Sequence, residues 1–264
     1  MRIRNPSLPR GAAPSDRLVG IALMCATLVC FTGIDTCAKW LGRTLPPLEI
    51  SFFRYLVAFL IAAALFSPIR RPDAWRSRRP WLQLLRGLCL LGSTVLNFVA
   101  LRHLQLAETM TIAFSAPFMI AVLSSRLLGE HIEPARWGAI LVGFLGVVIV
   151  ARPSPAGIDP MMLIAFGNVA CYAVYAIVTK RLAGVDSAES MLILSAAVAV
   201  VALAPTLALD WRMPTGLDTW AVLLAMGAFG ALGHFLLILA FARAPASVLA
   251  PFTYTEIVWM VLSG

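Results

Sequence analysis

The sequence predicts an all-α membrane protein, a polytopic helical bundle of two inverted five-helix repeats, and three observations carry that expectation. Hydrophobic residues make up 60% of the 264 positions and charged residues only 13%, with a mean hydropathy of +0.87; an ordinary soluble domain carries about 25% charged residues. Apolar runs of about 20 residues, long enough to cross a bilayer as helices, recur along the chain. The chain also matches itself at a nearly constant offset.

The apolar runs extend over Leu18–Leu41, Ile50–Phe66, Leu82–Ala100, Ala107–Leu128, Trp137–Ala151, Pro160–Thr179, Ser190–Leu209, Thr219–Phe241 and from Ala246 to Gly264, so nine spans are expected. The first follows a basic leader and could pass for a signal peptide. Its apolar run exceeds the roughly 7 to 15 residues of a signal-peptide core and further spans follow it, which makes it a retained helix.

The net charge of +8 does not point to nucleic acid, because the basic residues sit in short loops between apolar runs rather than on one amphipathic face. With the N-terminus in the cytoplasm, inner segments hold fourteen arginines and lysines, among them Arg70, Arg71, Arg76, Arg78 and Arg79, against five outside: Lys39, Arg43, Arg102, Arg152 and Arg212. That bias sets the orientation by the positive-inside rule. The expected location is the bacterial-type cytoplasmic (inner) membrane. Cys25, Cys30, Cys37, Cys89 and Cys171 all fall within apolar runs, an odd total with no C-x-x-C, and read as small buried hydrophobes rather than a disulfide framework.

The internal repeat organises the spans. Cys30-Phe31 recurs as Cys171-Tyr172 and Lys39-Trp40-Leu41 as Lys180-Arg181-Leu182 at an offset of 141; Trp81-x-x-Leu84-Leu85 recurs as Trp220-x-x-Leu223-Leu224 at 139; and the segment from Ala100 lies over the segment from Ala240 at 140. A unit of five spans is odd, so its second copy enters the membrane from the opposite side. The chain divides into a cytoplasmic tail (1–17), a first repeat of five helices (18–152) and a second repeat (153–264) with four. Inverted repeats of this kind are a common build of secondary transporters, which hold substrate near the midplane between the halves.

Polar groups inside such spans are costly and mark candidate sites. Thr32, Asp35 and Lys39 fall on one helical face at i, i+3, i+7, and Asn168, Tyr172 and Tyr175 on one face of the mated helix at i, i+4, i+7. Two mated stripes suggest a shared cavity, although Lys39 lies close enough to its helix end to snorkel. Asn97 and His234, on mated helices, either line that cavity or hydrogen-bond between helices. Arg54 either pairs with a carboxylate or with carbonyls at the outer boundary, Glu49 being five residues before it, or attracts an anionic substrate. Arg86 and Glu108 are expected to reach the interface from near span ends. Gly227, Gly230 and Gly233, like Gly138, Gly143 and Gly146, read as close-packing surfaces. No metal set is expected.

The stretch "LRHLQLAETMTIAFSAPFMIAVLSSRLLGEHIEPARWGAILVGFLGVVIVARP", with "FFRYLVAF" around Arg54, closely resembles the drug/metabolite transporter superfamily, EamA type. The resemblance covers nearly the whole chain after Leu18. It implies a structural role for Arg54 in the second helix, for Pro117 inside the fourth helix and for Gly129-Glu130 at that helix's cytoplasmic end, followed by a glycine-rich fifth helix. In the second copy the family's Glu-Pro is matched by Glu256-Ile257, so Glu256 is kept while the proline that would bend the ninth helix is absent. Within the superfamily, the first half is most similar to members that take up S-adenosylmethionine or riboflavin.

The function expected is gradient-driven movement of a small polar or amphipathic metabolite by alternating access. Asp35, Asn97, Asn168, Tyr172, Tyr175, His234, Tyr254 and Glu256 are the substrate-binding candidates, and Asp35 and Glu256 the leading candidates for coupling to a proton. The expected partners are the substrate, that proton and membrane lipid, with a homodimer compatible with the reading and no cofactor expected. A membrane-embedded lipid-modifying enzyme is the alternative, but no D-x-x-D or H-x-x-x-H occurs, and no G-x-x-x-x-G-K-[ST] for nucleotide hydrolysis. By the 140-residue offset Gly264 falls over Ser124, so the tenth span is expected to be missing. The chain then reads as a fragment or an inactive truncated form of a ten-helix protein.

Overall fold

The computed structural model describes residues 14–104, 109, 112–130, 133–135, 137–138, 140–142, 145, 160–209, 211–256 and 258–259, which are helical with connecting turns and contain no strand. Glu108, Gly143, Gly146, the 1–13 part of the tail, most of the fifth span and the end of the ninth lie outside the described residues. The helices are α1 (Pro14–Leu41), α2 (Pro47–Leu65), α3 (Pro80–His103), α4 (Ala116–Leu123), α5 (Pro160–Leu182), α6 (Ala188–Leu203), α7 (Leu217–Arg243) and α8 (Ala246–Leu249). Among the described residues six segments, those of α1, α2, α3, α5, α7 and of α6 with its 3₁₀ extension to Ala208, are long and apolar enough to cross a membrane.

The helix boundaries follow from local chemistry. Pro47, Pro80, Pro117 and Pro160 stand in the first turns of α2, α3, α4 and α5, where a missing N–H leaves no helical bond unmade. Ser187 caps α6 by accepting from the Ser190 N–H at 3.1 Å. Gly216, at φ 90°, turns the chain into α7, and Pro245 follows its end.

Packing follows the repeat. An offset near 140 maps α1 onto α5, α2 onto α6 and α3 onto α7. The two most extensive pairings are α1 with α7 and α3 with α5, each the image of the other under that exchange; α2 against α7 and α3 against α6 form a second such pair. The halves are therefore interleaved rather than side by side. Small residues set the close approaches: Gly233 lies against Cys30 and Phe31, Gly227 against Val57, Gly92 against Cys171 and Gly87 against Val198. All five cysteines are free.

The fourth and ninth spans are not continuous α-helices. The fourth turns at Phe114–Ser115 before α4, which ends in a π-turn over Ser124–Leu128, so Pro117 opens a helix instead of lying inside one. In the ninth, α8 passes into a 3₁₀ stretch over Ala250–Thr255. Its bend does not need a proline at position 257, because Pro251 already removes a backbone donor there. The two breaks meet: Phe114 and Tyr254, 140 positions apart, pack with ring centroids 5.7 Å apart and ring planes tilted by 44°.

One end of the bundle is tied across the halves. Asp186 accepts from the Gln83 Nε2 and Arg78 N–H groups, both at 2.9 Å, and from Ser77 Oγ. Ser190 Oγ donates to the Arg76 carbonyl at 2.6 Å, and Arg71 pairs with Glu189 at 3.3 Å. Gly129, at φ 68°, closes the π-turn in a left-handed conformation that few side chains tolerate, and turns the chain so that the Glu130 carboxylate caps the backbone N–H groups of Ala246 and Ser247 at 3.2 and 3.0 Å. At the other end Lys39, Arg43 and Arg102 border a vestibule of about 250 Å³.

Candidate functional site

Where the halves interleave, α1, α2, α3, α5 and α7 enclose a cavity of about 110 Å³. It collects Asp35, Asn97, Asn168, Tyr172, His234 and Glu256 from the sequence candidates, together with Arg54. Phe98 borders both this cavity and the basic vestibule.

The first polar system is a ladder. Ser93 Oγ donates to Asn168 Oδ1 at 2.7 Å, Asn168 Nδ2 to Asn97 Oδ1 at 3.3 Å, and Asn97 Nδ2 to Asp35 Oδ1 at 3.1 Å. Each amide is thus oriented by its neighbours, and the ladder fixes one carboxylate at the cavity wall. Asn97 both lines the cavity and bonds between helices, so the two readings of it hold together. Glu256 faces the same cavity from the broken ninth span.

The second system is a relay of buried groups behind the cavity. Arg54 donates to Thr94 Oγ1 and, at 2.7 Å, to His234 Nε2; His234 Nδ1 lies 3.0 Å from Tyr175 Oη; and Arg86 Nη2 donates to that same hydroxyl at 3.0 Å. Arg86 continues to Thr179 Oγ1 at 2.8 Å, the Met191 carbonyl at 2.6 Å and Ser195 Oγ. Neither arginine forms an ion pair with a described carboxylate. Their charges are met by hydroxyls, a carbonyl and aromatic faces, with the Arg54 guanidinium 4.7 Å from the Tyr55 ring and that of Arg86 4.8 Å from Tyr175.

These contacts correct three expectations. Arg86 does not reach the interface; it is fully buried, because residues of α5 and α6 close over it. Arg54 does not pair with Glu49, whose carboxylate instead accepts from the Arg212 N–H at 2.9 Å. Tyr175 sits in the relay behind His234, and Tyr254 packs against Phe114 with its hydroxyl buried and without a partner among the described residues, so neither lines the central cavity. Sequence reasoning passed over Ser93 and Thr94 and placed Arg86 at the interface, although Arg86, Ser93 and Asn97 recur at i, i+7, i+11 along one face of α3. That stripe was the available signal.

The sequence matches the EamA-like transporter family over residues 18–152 and 159–264. The chain belongs to that family. Within it, the chain is 31% identical over 240 residues to an S-adenosylmethionine uptake transporter of Rickettsia bellii (strain RML369-C), covering 91% of this chain and 82% of that relative. It is 28% identical over 258 residues to a riboflavin transporter of Rhizobium johnstonii, covering 95% and 83%, and 28% identical over 243 residues to a pseudopaline exporter of Pseudomonas aeruginosa (strain UCBPP-PA14), covering 91% and 84%. One solved crystal structure shares the fold, with a TM-score of 0.75 at 21% identity over 94% of this chain and 86% of the other. EamA-like membership and these relatives mark a membrane transporter of small metabolites, not an enzyme.

Proposed function

We propose that this EamA-like protein is a secondary transporter that moves a small polar or amphipathic metabolite across the cytoplasmic membrane by alternating access. One observation carries the reading: the polar cavity lies at the joint of the two repeats and takes residues from both, the arrangement in which rocking one half against the other exposes a fixed site to each side in turn. The sequence has no phosphate-binding loop, which supports a gradient as the source of drive.

Asp35, Asn97, Asn168, Tyr172, His234 and Glu256 are the substrate-facing groups, with Tyr175 and Tyr254 supporting them. Asp35 and Glu256 carry the coupling proton, since a carboxylate lining a membrane cavity can alternate between proton and cation. Metabolites of the S-adenosylmethionine and riboflavin classes are the first substrates to test. The tied end is cytoplasmic, as is the N-terminus, and the vestibule of Lys39, Arg43 and Arg102 faces outward. The test is uptake and efflux of these compounds by vesicles reconstituted with the protein, with and without an imposed pH gradient. Movement above protein-free vesicles that responds to the gradient is expected; no movement of any compound in either direction would sink the reading.

A further inference from the structure

We infer that the central cavity reads the α-amino-acid end of its substrate, Arg54 holding the carboxylate while Asp35 and Glu256 receive the ammonium group. The inference rests on the cavity being the substrate site and adds the chemical class that the site selects.

The anionic end follows from Arg54. Its side chain is 4% exposed and lines the cavity, yet only two of its five N–H donors are engaged, by Thr94 and His234, and its buried Nε has no partner among the described residues. Both partners are neutral acceptors. A guanidinium offers a planar fork matched to a carboxylate, and a buried one with no carboxylate in direct ion-pair contact has donors free to receive one. Gly230 lies beside the Nε and, having no side chain, leaves that donor uncovered, while His234 of the same helix takes up Nη2.

The cationic end follows from the carboxylates. Asp35 and Glu256 line the same cavity from opposite halves of the chain; Asp35 accepts one hydrogen bond from Asn97, and Glu256 accepts none from a described residue. Two such groups facing one small space repel, and a cation between them removes the repulsion. An ammonium group also supplies three donors to acceptors that are mostly unused. With one proton shared by the two carboxylates, these two groups and Arg54 sum to zero charge, as does a zwitterion.

Size and polarity place the remainder of the substrate. The central cavity, at about 110 Å³, has room for a head group of a few heavy atoms. A second cavity of about 110 Å³ shares Phe31, Ser93, Asn168, Tyr172 and Glu256 with it and runs between Leu28, Phe114 and Val169. The apolar body of the substrate therefore extends toward the two broken spans while its charged end stays among Arg54, Asp35 and Glu256. Compounds lacking either charge fit this arrangement poorly.

Binding to the purified full-length protein in detergent tests this with three matched pairs: phenylalanine and phenethylamine, methionine and 3-methylthiopropylamine, S-adenosylmethionine and its decarboxylated form. In at least one pair the carboxylate-bearing compound should bind about tenfold tighter or more, and its N-acetylated form should lose a similar factor. Arg54→Gln should bring the pair ratio near one, with Arg54→Lys in between. Equal affinity within every pair, no binding by any compound, or a ratio that survives Arg54→Gln would overturn the inference. Where Arg54→Gln does not fold, the pair ratio and the N-acetyl comparison on the unaltered protein decide. Binding needs no gradient, so a protein that discriminates these ends but moves nothing across vesicles refutes only the transport reading. One that transports a compound lacking either charge refutes only this one.

Discussion

Arg54 Nη2 lies 2.7 Å from His234 Nε2, and because a guanidinium can only donate, that imidazole nitrogen accepts. The neutral ring then carries its proton on Nδ1, pointed at Tyr175 Oη, where Arg86 donates as well. Cavity, imidazole and the buried Arg86 are thereby joined in one chain of oriented groups that ends on α5 and α6. The first consequence concerns Arg86 itself.

Arg86→Met should lower stability by about 2 kcal/mol, the scale of losing hydrogen bonds from a charged donor to buried acceptors. The Tyr175, Thr179 and Ser195 hydroxyls and the Met191 carbonyl all lose their shared donor. Arg86→Lys should recover only part, since an ammonium cannot span the same acceptors as a planar fork. Thermal unfolding in detergent measures both; an unchanged midpoint for Arg86→Met would contradict the structural role.

Asp35→Asn and Glu256→Gln address coupling. Where a proton travels with the substrate through these carboxylates, wild-type uptake rises when the side that substrate enters from is made more acidic. The variant that removes the carrier should bind more weakly and, at saturating substrate, lose that response. If both variants keep the wild-type dependence on the imposed pH gradient in vesicles, neither residue carries the proton.

Glu130→Ala should cost about 1 kcal/mol, the usual scale of a lost helix cap, because the Ala246 and Ser247 N–H groups are left without the carboxylate. Glu130→Gln, which keeps one acceptor oxygen, should cost less. The unfolding midpoints of the three proteins give the order; Gln at least as damaging as Ala would mean that the cap is not the reason for the residue.

Orientation is checked by cysteine labelling in a cysteine-free background. Ile69, 92% exposed and bearing no hydrogen-bonding side chain, is the best position on the tied end; Ser77 in the same loop is held by Asp186. A cysteine at 69 should resist an impermeant reagent added outside intact cells, and one at Arg43 should react. The reverse pattern would invert the topology.

The legible part of this structure is what repeats or alternates. The offset near 140 maps α1 and α3 onto α5 and α7; of the polar faces of the first and sixth spans, Asp35, Asn168 and Tyr172 lie at one cavity, while Thr32, Lys39 and Tyr175 do not line it. The glycine row at 227, 230 and 233 marked where α7 approaches α1 and α2. Arg86 was misread because distance from a span end says nothing of what packs over it: its partners at 175, 179, 191 and 195 belong to helices far along the chain. Proximity in sequence offered Glu49 as one of several partners for Arg54, but the Glu49 carboxylate accepts from the backbone of Arg212, 163 positions away. Periodicity reports which way a residue faces on its own helix. It does not report the neighbour.

The packing of Phe114 on Tyr254 has a further consequence, for the history of the fold. Were the two copies separate, identical chains related by a two-fold axis, the residue at this point would meet itself, and any change would be made on both sides of the contact at once. Joining the copies in one chain frees each side to vary alone. Here one ring carries a hydroxyl and the other does not, so the molecule's axis of symmetry is also the place where its two halves have ceased to be equivalent.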